Sequence, residues 1–204
     1  MPVPLPAVPA ETSTGKTYTY FGYELESPWT ELTLEKKFSS QVILYFSNGP
    51  FILIFDPAQI PNELSAIKER DLNRGVTTTS VFGSGTLQSR YALLSKTLNV
   101  TPGDLRLTWS RQEMAENSVL LLIKDISVSR FKSHLYSFQT ETVRGFQEGD
   151  PGPTMPAVIE AFDEQDRKIE LWVGAKRGAT SVPSQADVSR IIYSLRPATT
   201  PRTK

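Results

Sequence analysis

One stretch, Gln41–Asp56 (Q-V-I-L-Y-F-S-N-G-P-F-I-L-I-F-D), constrains the fold more than any other. Two apolar runs, Val42–Phe46 and Phe51–Phe55, flank Ser47-Asn48-Gly49-Pro50. Asn and Gly tolerate the positive φ that a tight hairpin turn demands. Neither run alternates polar with apolar residues, and a strand that is apolar on both sides is normally covered on both. The stretch therefore predicts a central antiparallel hairpin in a sheet with helices or loops above and below.

The rest of the chain supplies the covering elements. Residues 1–16 are rich in Pro, Thr and Ser without periodicity, and are expected to form a disordered or polyproline-like lead. From Tyr18 an aromatic stretch reads as a strand with Phe21, Tyr23 and Leu25 on one face and Gly22, Glu24 and Glu26 on the other. Pro28 ends it. Thr30–Ser40 reads as a second strand or a loop. After the hairpin, Ile60, Leu64, Ile67 and Leu72 form an approximate helical stripe. Arg74–Gly85 is an irregular loop. Leu87, Tyr91, Leu94 and Leu98 form a cleaner stripe.

Capping signals mark three further helix starts: Thr101-Pro102-Gly103-Asp104, Ser110-Arg111-Gln112-Glu113 and Ser184-Gln185-Ala186-Asp187. The second opens a helix through the run Val119–Ile123, with a strand over 119–126 as the alternative. The third opens the strongest helix pattern, with Val188, Ile191, Ile192 and Leu195 on the sheet and Arg190 and Ser194 toward solvent. His134–Thr142 alternates as a half-exposed strand and can continue to Phe146. Ala157–Phe162 and Lys168–Ala175, joined by Asp163–Arg167, read as a second hairpin. Pro197 stops the last helix, and 198–204 read as a disordered tail. A single α+β domain is expected over 17–197, its sheet mainly antiparallel with helices packed on it.

Composition limits the chemistry. Lys+Arg and Asp+Glu both number 22, so bulk positive charge does not drive nucleic-acid binding. There is no cysteine, which removes disulfides, thiolate metal sites and cysteine nucleophiles. The run Val119–Ile123 falls far short of the ~20 residues that span a bilayer. The N-terminal M-P-V-P-L-P-A-V-P-A lacks a basic segment and is broken by prolines, so it does not read as a signal peptide. The expected location is cytoplasmic.

No complete catalytic, metal or nucleotide motif is present, and no cofactor is implied. His134 is the sole histidine, so a multi-histidine metal site is impossible. It needs a serine and an acid nearby to form a triad, and no serine sits in G-x-S-x-G. Gly83-Ser84-Gly85 is only a fragment of a phosphate loop. Asp163, Glu164 and Asp166 cluster at a turn without calcium-loop spacing and beside Arg167 and Lys168. Asp56, Glu148 and Asp150 are loop carboxylates that serve as acid or base only where they line a cleft. Trp29 and Trp172 are the candidate partner-binding residues. Trp172 faces opposite Leu171 and Val173, and either packs under a second layer or lies in an exposed apolar patch.

L-E-S-P-W at 25–29, the hairpin 41–56, the hairpin 157–175 and S-Q-A-D-V-S-R-I-I-Y-S-L-R at 184–196 occur in an order that resembles the Mog1/PsbP-like α/β/α families. That resemblance implies an α/β/α sandwich and a non-catalytic binding or assembly role, and it transfers no functional residue. The leading expectation is an interaction or accessory protein whose partner is another protein. A small-ligand-binding domain, or a hydrolase-type enzyme using loop carboxylates, is the alternative.

Overall fold

A computed structural model describes residues 2–8, 15–62, 64–65, 89–99 and 134–198. The described residues fall into two compact units, one taking in 3–60 and the chain from 134 onward, the other beginning at Pro61.

The larger unit is built on an eight-stranded mixed sheet. Its strands are β1 (Val3–Pro4), β4 (Leu32–Lys37), β5 (Gln41–Phe46), β6 (Pro50–Phe55), β7 (Leu135–Gln139), β8 (Val143–Glu148), β9 (Ala157–Asp163) and β10 (Lys168–Ala175). They lie in the order β1-β7-β8-β9-β10-β6-β5-β4, antiparallel except for β1 beside β7. The expected central hairpin is β5–β6, with Tyr45 opposite Phe51 and Val42 opposite Ile54. Its turn uses positive φ at Asn48 (66°) and Gly49 (110°). A Cβ on Gly49 would lie 2.3 Å from that of Ala179, so the position also needs glycine for close approach. The second hairpin, β9–β10, matches its expected limits closely.

A three-stranded sheet, β11-β3-β2, is formed by β2 (Lys16–Tyr20), β3 (Tyr23–Ser27) and β11 (Arg196–Pro197). Helix α2 (Gln185–Ser194) begins with the expected capping box: the Asp187 N–H donates to the Ser184 hydroxyl, and the Ser184 N–H donates to the Asp187 carboxylate. Its Val188, Ile191 and Ile192, with Leu195, join Tyr18, Tyr23 and Leu25 of the small sheet in one core. Val42, Leu44, Phe46, Ile52, Ile54, Ile159, Leu171 and Val173 complete that core from one face of the large sheet.

On the opposite face, Val158, Phe146 and Phe162 are buried, while Ile43, Tyr45, Phe51, Leu53, Phe55 and Trp172 are half-buried. The expectation of full cover on both sides of the hairpin thus holds on one side only. The apolar residues at 43, 45, 51, 53 and 55 reflect a band that retains contact with solvent.

Several expectations are corrected. Residues 3–5 are no disordered lead: Val3 pairs with Tyr136, the Leu5 N–H donates to the Ser137 carbonyl, and the Leu5 side chain is buried. The expected single strand from Tyr18 is a hairpin, because Phe21 (φ 52°) and Gly22 (φ 80°) turn the chain between Tyr20 and Tyr23. The strand from His134 to Phe146 is likewise a hairpin. The Thr140 hydroxyl accepts from the N–H groups of Thr142 and Val143, closing a turn without Gly, Asn or Pro. Ser194 does not face solvent but accepts from the Glu26 N–H at 2.8 Å, tying α2 to β3.

The second unit contains α1 (Arg90–Asn99), whose buried residues are Leu93, Thr97 and Leu98. The face expected from Tyr91 and Leu94 is therefore rotated; both of those are half-buried. Ser89 caps the helix through Ala92 N–H, and Arg90 donates to the Pro61 carbonyl. Ile60, expected to open a helical stripe, is instead extended and ends a short 3₁₀ turn, Pro57–Gln59; Leu64 is helical, and Ile67 and Leu72 of that stripe lie outside the described residues. The helix starts at 101 and 110, the alternative strand at 119–126, Gly83–Gly85 and the tail at 199–204 lie outside the described residues. Among the described residues, no helix is long and apolar enough to cross a membrane.

Candidate functional site

Trp29 and Trp172 lie on different faces of the large sheet and do not form one patch. Trp29 is half-buried on the core side, its ring 5.4 Å from that of Phe46. Its N–H donates to the Ser27 hydroxyl, which in turn donates to the Trp29 carbonyl. Trp172 lies on the opposite face, 5.7 Å from the Phe55 ring, with its indole N–H donating to Glu170 at 2.6 Å.

Two of the carboxylates noted in the sequence, Asp56 and Asp163, are held in local roles. Asp56 caps the 3₁₀ turn through Ala58 N–H. Asp163 is buried and accepts from the Tyr23 hydroxyl (2.8 Å), from Arg167 Nε (2.7 Å) and from the N–H groups of Gln165 and Arg167. Burial alone would raise its pKa; the hydrogen bonds from Arg167 and Tyr23 outweigh burial and hold it below the usual carboxylate value. Asp163 is thus a turn lock. Lys168 pairs with Glu160 across β9–β10.

His134 does acquire an acid partner, Asp150, at 2.8 Å, and the Tyr136 hydroxyl reaches the same carboxylate. The pair is solvent-exposed. Sequence spacing did not bring the two together; the antiparallel pairing of β7 with β8 does. Among the described residues no serine completes the pair into a triad, and no group of His, Cys, Asp or Glu is arranged to hold a metal ion. Two shallow polar clefts meet at the Gln139–Thr142 turn, one running to Asp163 and Glu164, the other to Tyr193 and Arg196. The first is lined by Glu141 and Glu164, both exposed, beside the engaged Asp163.

The feature sequence reasoning missed is the outer edge of β4. This strand ends the large sheet, and among the described residues nothing pairs with its other side. Leu34 is 47% exposed and Phe38 52%. The register sets the geometry. The Phe38 N–H donates to the Gln41 carbonyl at 2.9 Å, and Lys36 lies opposite Ile43. Antiparallel alternation then turns the N–H and C=O groups of Leu34, Lys36 and Phe38 toward β5, and those of Glu35 and Lys37 outward.

Leu34, Lys36 and Phe38 project to the face carrying the half-buried band, the face of Trp172. On the core side, the Glu35 carboxylate accepts from the Tyr20 hydroxyl (2.6 Å) and from Lys37 (2.9 Å), contacts that lower its pKa. Burial, then the bond to Glu35, raises that of Tyr20. Lys36 stands over the Tyr45 ring, 5.9 Å from its centroid. The edge could have been suspected from L-T-L-E-K-K, in which lysines follow apolar residues on a strand.

The fold defined by these observations is of the α+β class, with a large mixed sheet, a smaller sheet and helices. No family model, curated protein or solved structure matches the chain.

Proposed function

We propose that this chain is a non-catalytic interaction protein that receives an extended segment of a partner protein along the outer edge of β4. One observation carries the reading: the outward main-chain groups of Glu35 and Lys37 are flanked by the exposed side chains of Leu34 and Phe38. Strand addition uses such an edge, with main-chain hydrogen bonds giving affinity and alternate side chains giving selectivity. The adjoining band of Ile43, Tyr45, Phe51, Leu53, Phe55 and Trp172 gives the added strand an apolar neighbour. Trp172, on β10 three strands in from β4, lies beyond the reach of a single added strand, and Trp29 packs on the core side. The Mog1/PsbP-like resemblance, with its α/β/α sandwich, agrees with a binding or assembly role. An enzymatic reading gains less support, since the buried carboxylate of the first cleft, Asp163, is taken up by its turn and Arg167, while Glu141 and Glu164 beside it are exposed.

A random peptide display library, panned on the full chain, tests the reading. Proline is tolerated on an edge strand where its missing N–H faces outward. Lys37→Pro should leave folding intact and abolish binding of the enriched peptides. Peptides that bind Lys37→Pro as well as the parent chain, or a library that yields none, would overturn it.

A further inference from the structure

We infer that the segment received by β4 is acidic at its centre, with a carboxylate opposite Lys36 and apolar residues opposite Leu34 and Phe38. The inference rests on the docking reading above and adds the chemistry of the ligand.

The outward hydrogen bonds belong to Glu35 and Lys37. In an added antiparallel strand, Lys36 therefore occupies a non-hydrogen-bonded position, where facing Cα atoms approach to about 4.5 Å and side chains are closest. Lys36 is exposed and lies over the Tyr45 ring, while the carboxylate next to it in sequence, Glu35, points to the other face and is engaged by Tyr20 and Lys37. A carboxylate on the incoming strand would meet Lys36 directly. Two positions away on either side, Leu34 and Phe38 are 47% and 52% exposed and favour apolar neighbours. The recognised pattern is apolar-x-acidic-x-apolar.

The same geometry disfavours a second copy of the chain. Symmetric antiparallel pairing of two β4 edges about Lys36 sets lysine against lysine at the closest position, and like charges directly opposite are destabilising. Glu35 and Lys37, which would then meet across the other face, already engage each other.

Three acetylated and amidated peptides test this with the full chain: Thr-Val-Thr-Glu-Thr-Val-Thr and its variants with Gln or Lys at the centre. Amide NMR titrations should show shifts at Glu35 and Lys37. The Glu peptide should bind about two- to fivefold more tightly than the Gln peptide, the Lys peptide most weakly, as cross-strand charge pairs allow. The preference should shrink in high salt. Lys36→Glu, an exposed substitution that spares the core, should reverse the order. Equal affinities, or an order unmoved by Lys36→Glu, would overturn the acidic specificity while leaving edge docking in place. Absence of any shift at the β4 amides would overturn edge docking and the specificity together. A concentration-dependent dimer that the peptides cannot displace would assign the edge to a second copy instead.

Discussion

Asp163 offers the sharpest test of how the larger unit is held together. Its carboxylate joins the β9–β10 turn to β3, accepting from Gln165 and Arg167 N–H, the Arg167 guanidinium and the Tyr23 hydroxyl. Asp163→Asn keeps one oxygen for the turn amides. It also places an amide NH₂ toward Arg167, where two donors now face each other. Bonds to charged groups contribute about 1.5–3 kcal/mol, and Arg167 can turn to water, so Asp163→Asn should cost about that much in total. The Arg167 side chain is 52% exposed, which supports the lower half of that range.

Asp163→Ala also strands the buried Tyr23 hydroxyl and should cost about 3–5 kcal/mol. For a chain of this size each kcal/mol lowers Tm by ~2–4 °C. The effect should also depend on pH. The folded-state pKa of Asp163 lies below the ordinary 3.8, so its stabilisation is complete above that value and drains as pH falls through the lowered one. The gap between parent and Asp163→Asn, read by urea melts, should therefore be widest at neutral pH and close in acid. A gap that stays constant down to about pH 3, or an Asn variant as stable as the parent, would refute the reasoning.

Other perturbations separate the two faces of the sheet and test the elements around it. Leu44→Asp buries a carboxylate at a fully enclosed position and should unfold the chain, while Ile43→Asp, half-buried, should leave a folded protein with a lowered urea midpoint. Gly145→Ala should lower Tm markedly, because the new Cβ would lie 2.0 Å from the Glu160 carbonyl oxygen and 2.8 Å from Phe138 Cζ. Ile192→Ala should cost ~2–5 kcal/mol in a urea melt and Ser184→Ala about 0.5–2, the cavity outweighing the cap. Leu5→Ala should cost at least ~2 kcal/mol by the same measure, where a disordered lead would show nothing.

Legibility followed the strength of the local signal. The β5–β6 hairpin was plain because Asn48-Gly49 announces the turn and the runs on either side are long. The cap and stripe of α2 were plain for a similar reason: Ser184, Asp187 and three isoleucine or valine positions all agree. The hairpins at Phe21-Gly22 and Thr140–Thr142 were hidden, one because a phenylalanine occupies a left-handed position, the other because a threonine hydroxyl does the work of a turn glycine. Leu5 was hidden because prolines on both sides mask a strand that pairs through few residues. The candidate site escaped notice for a different reason. An open edge is a property of strand order, and the lysines of Leu32–Lys37 hint at a margin without showing which strands pair beside it.

The strand order also bears on how the chain is made. β6 pairs with β10, so Ile54 meets Leu171 only after most of the polypeptide has left the ribosome. Until then the β4–β6 meander has two exposed rims instead of one, and Ile52 and Ile54 have no helix α2 to lie under. The nascent chain thus carries its most aggregation-prone segment early and its protection late, because distant pairings form slowly. Slowing translation before residue 168 should lengthen that vulnerable interval, and a holdase chaperone that occupies the β6 rim would shorten it.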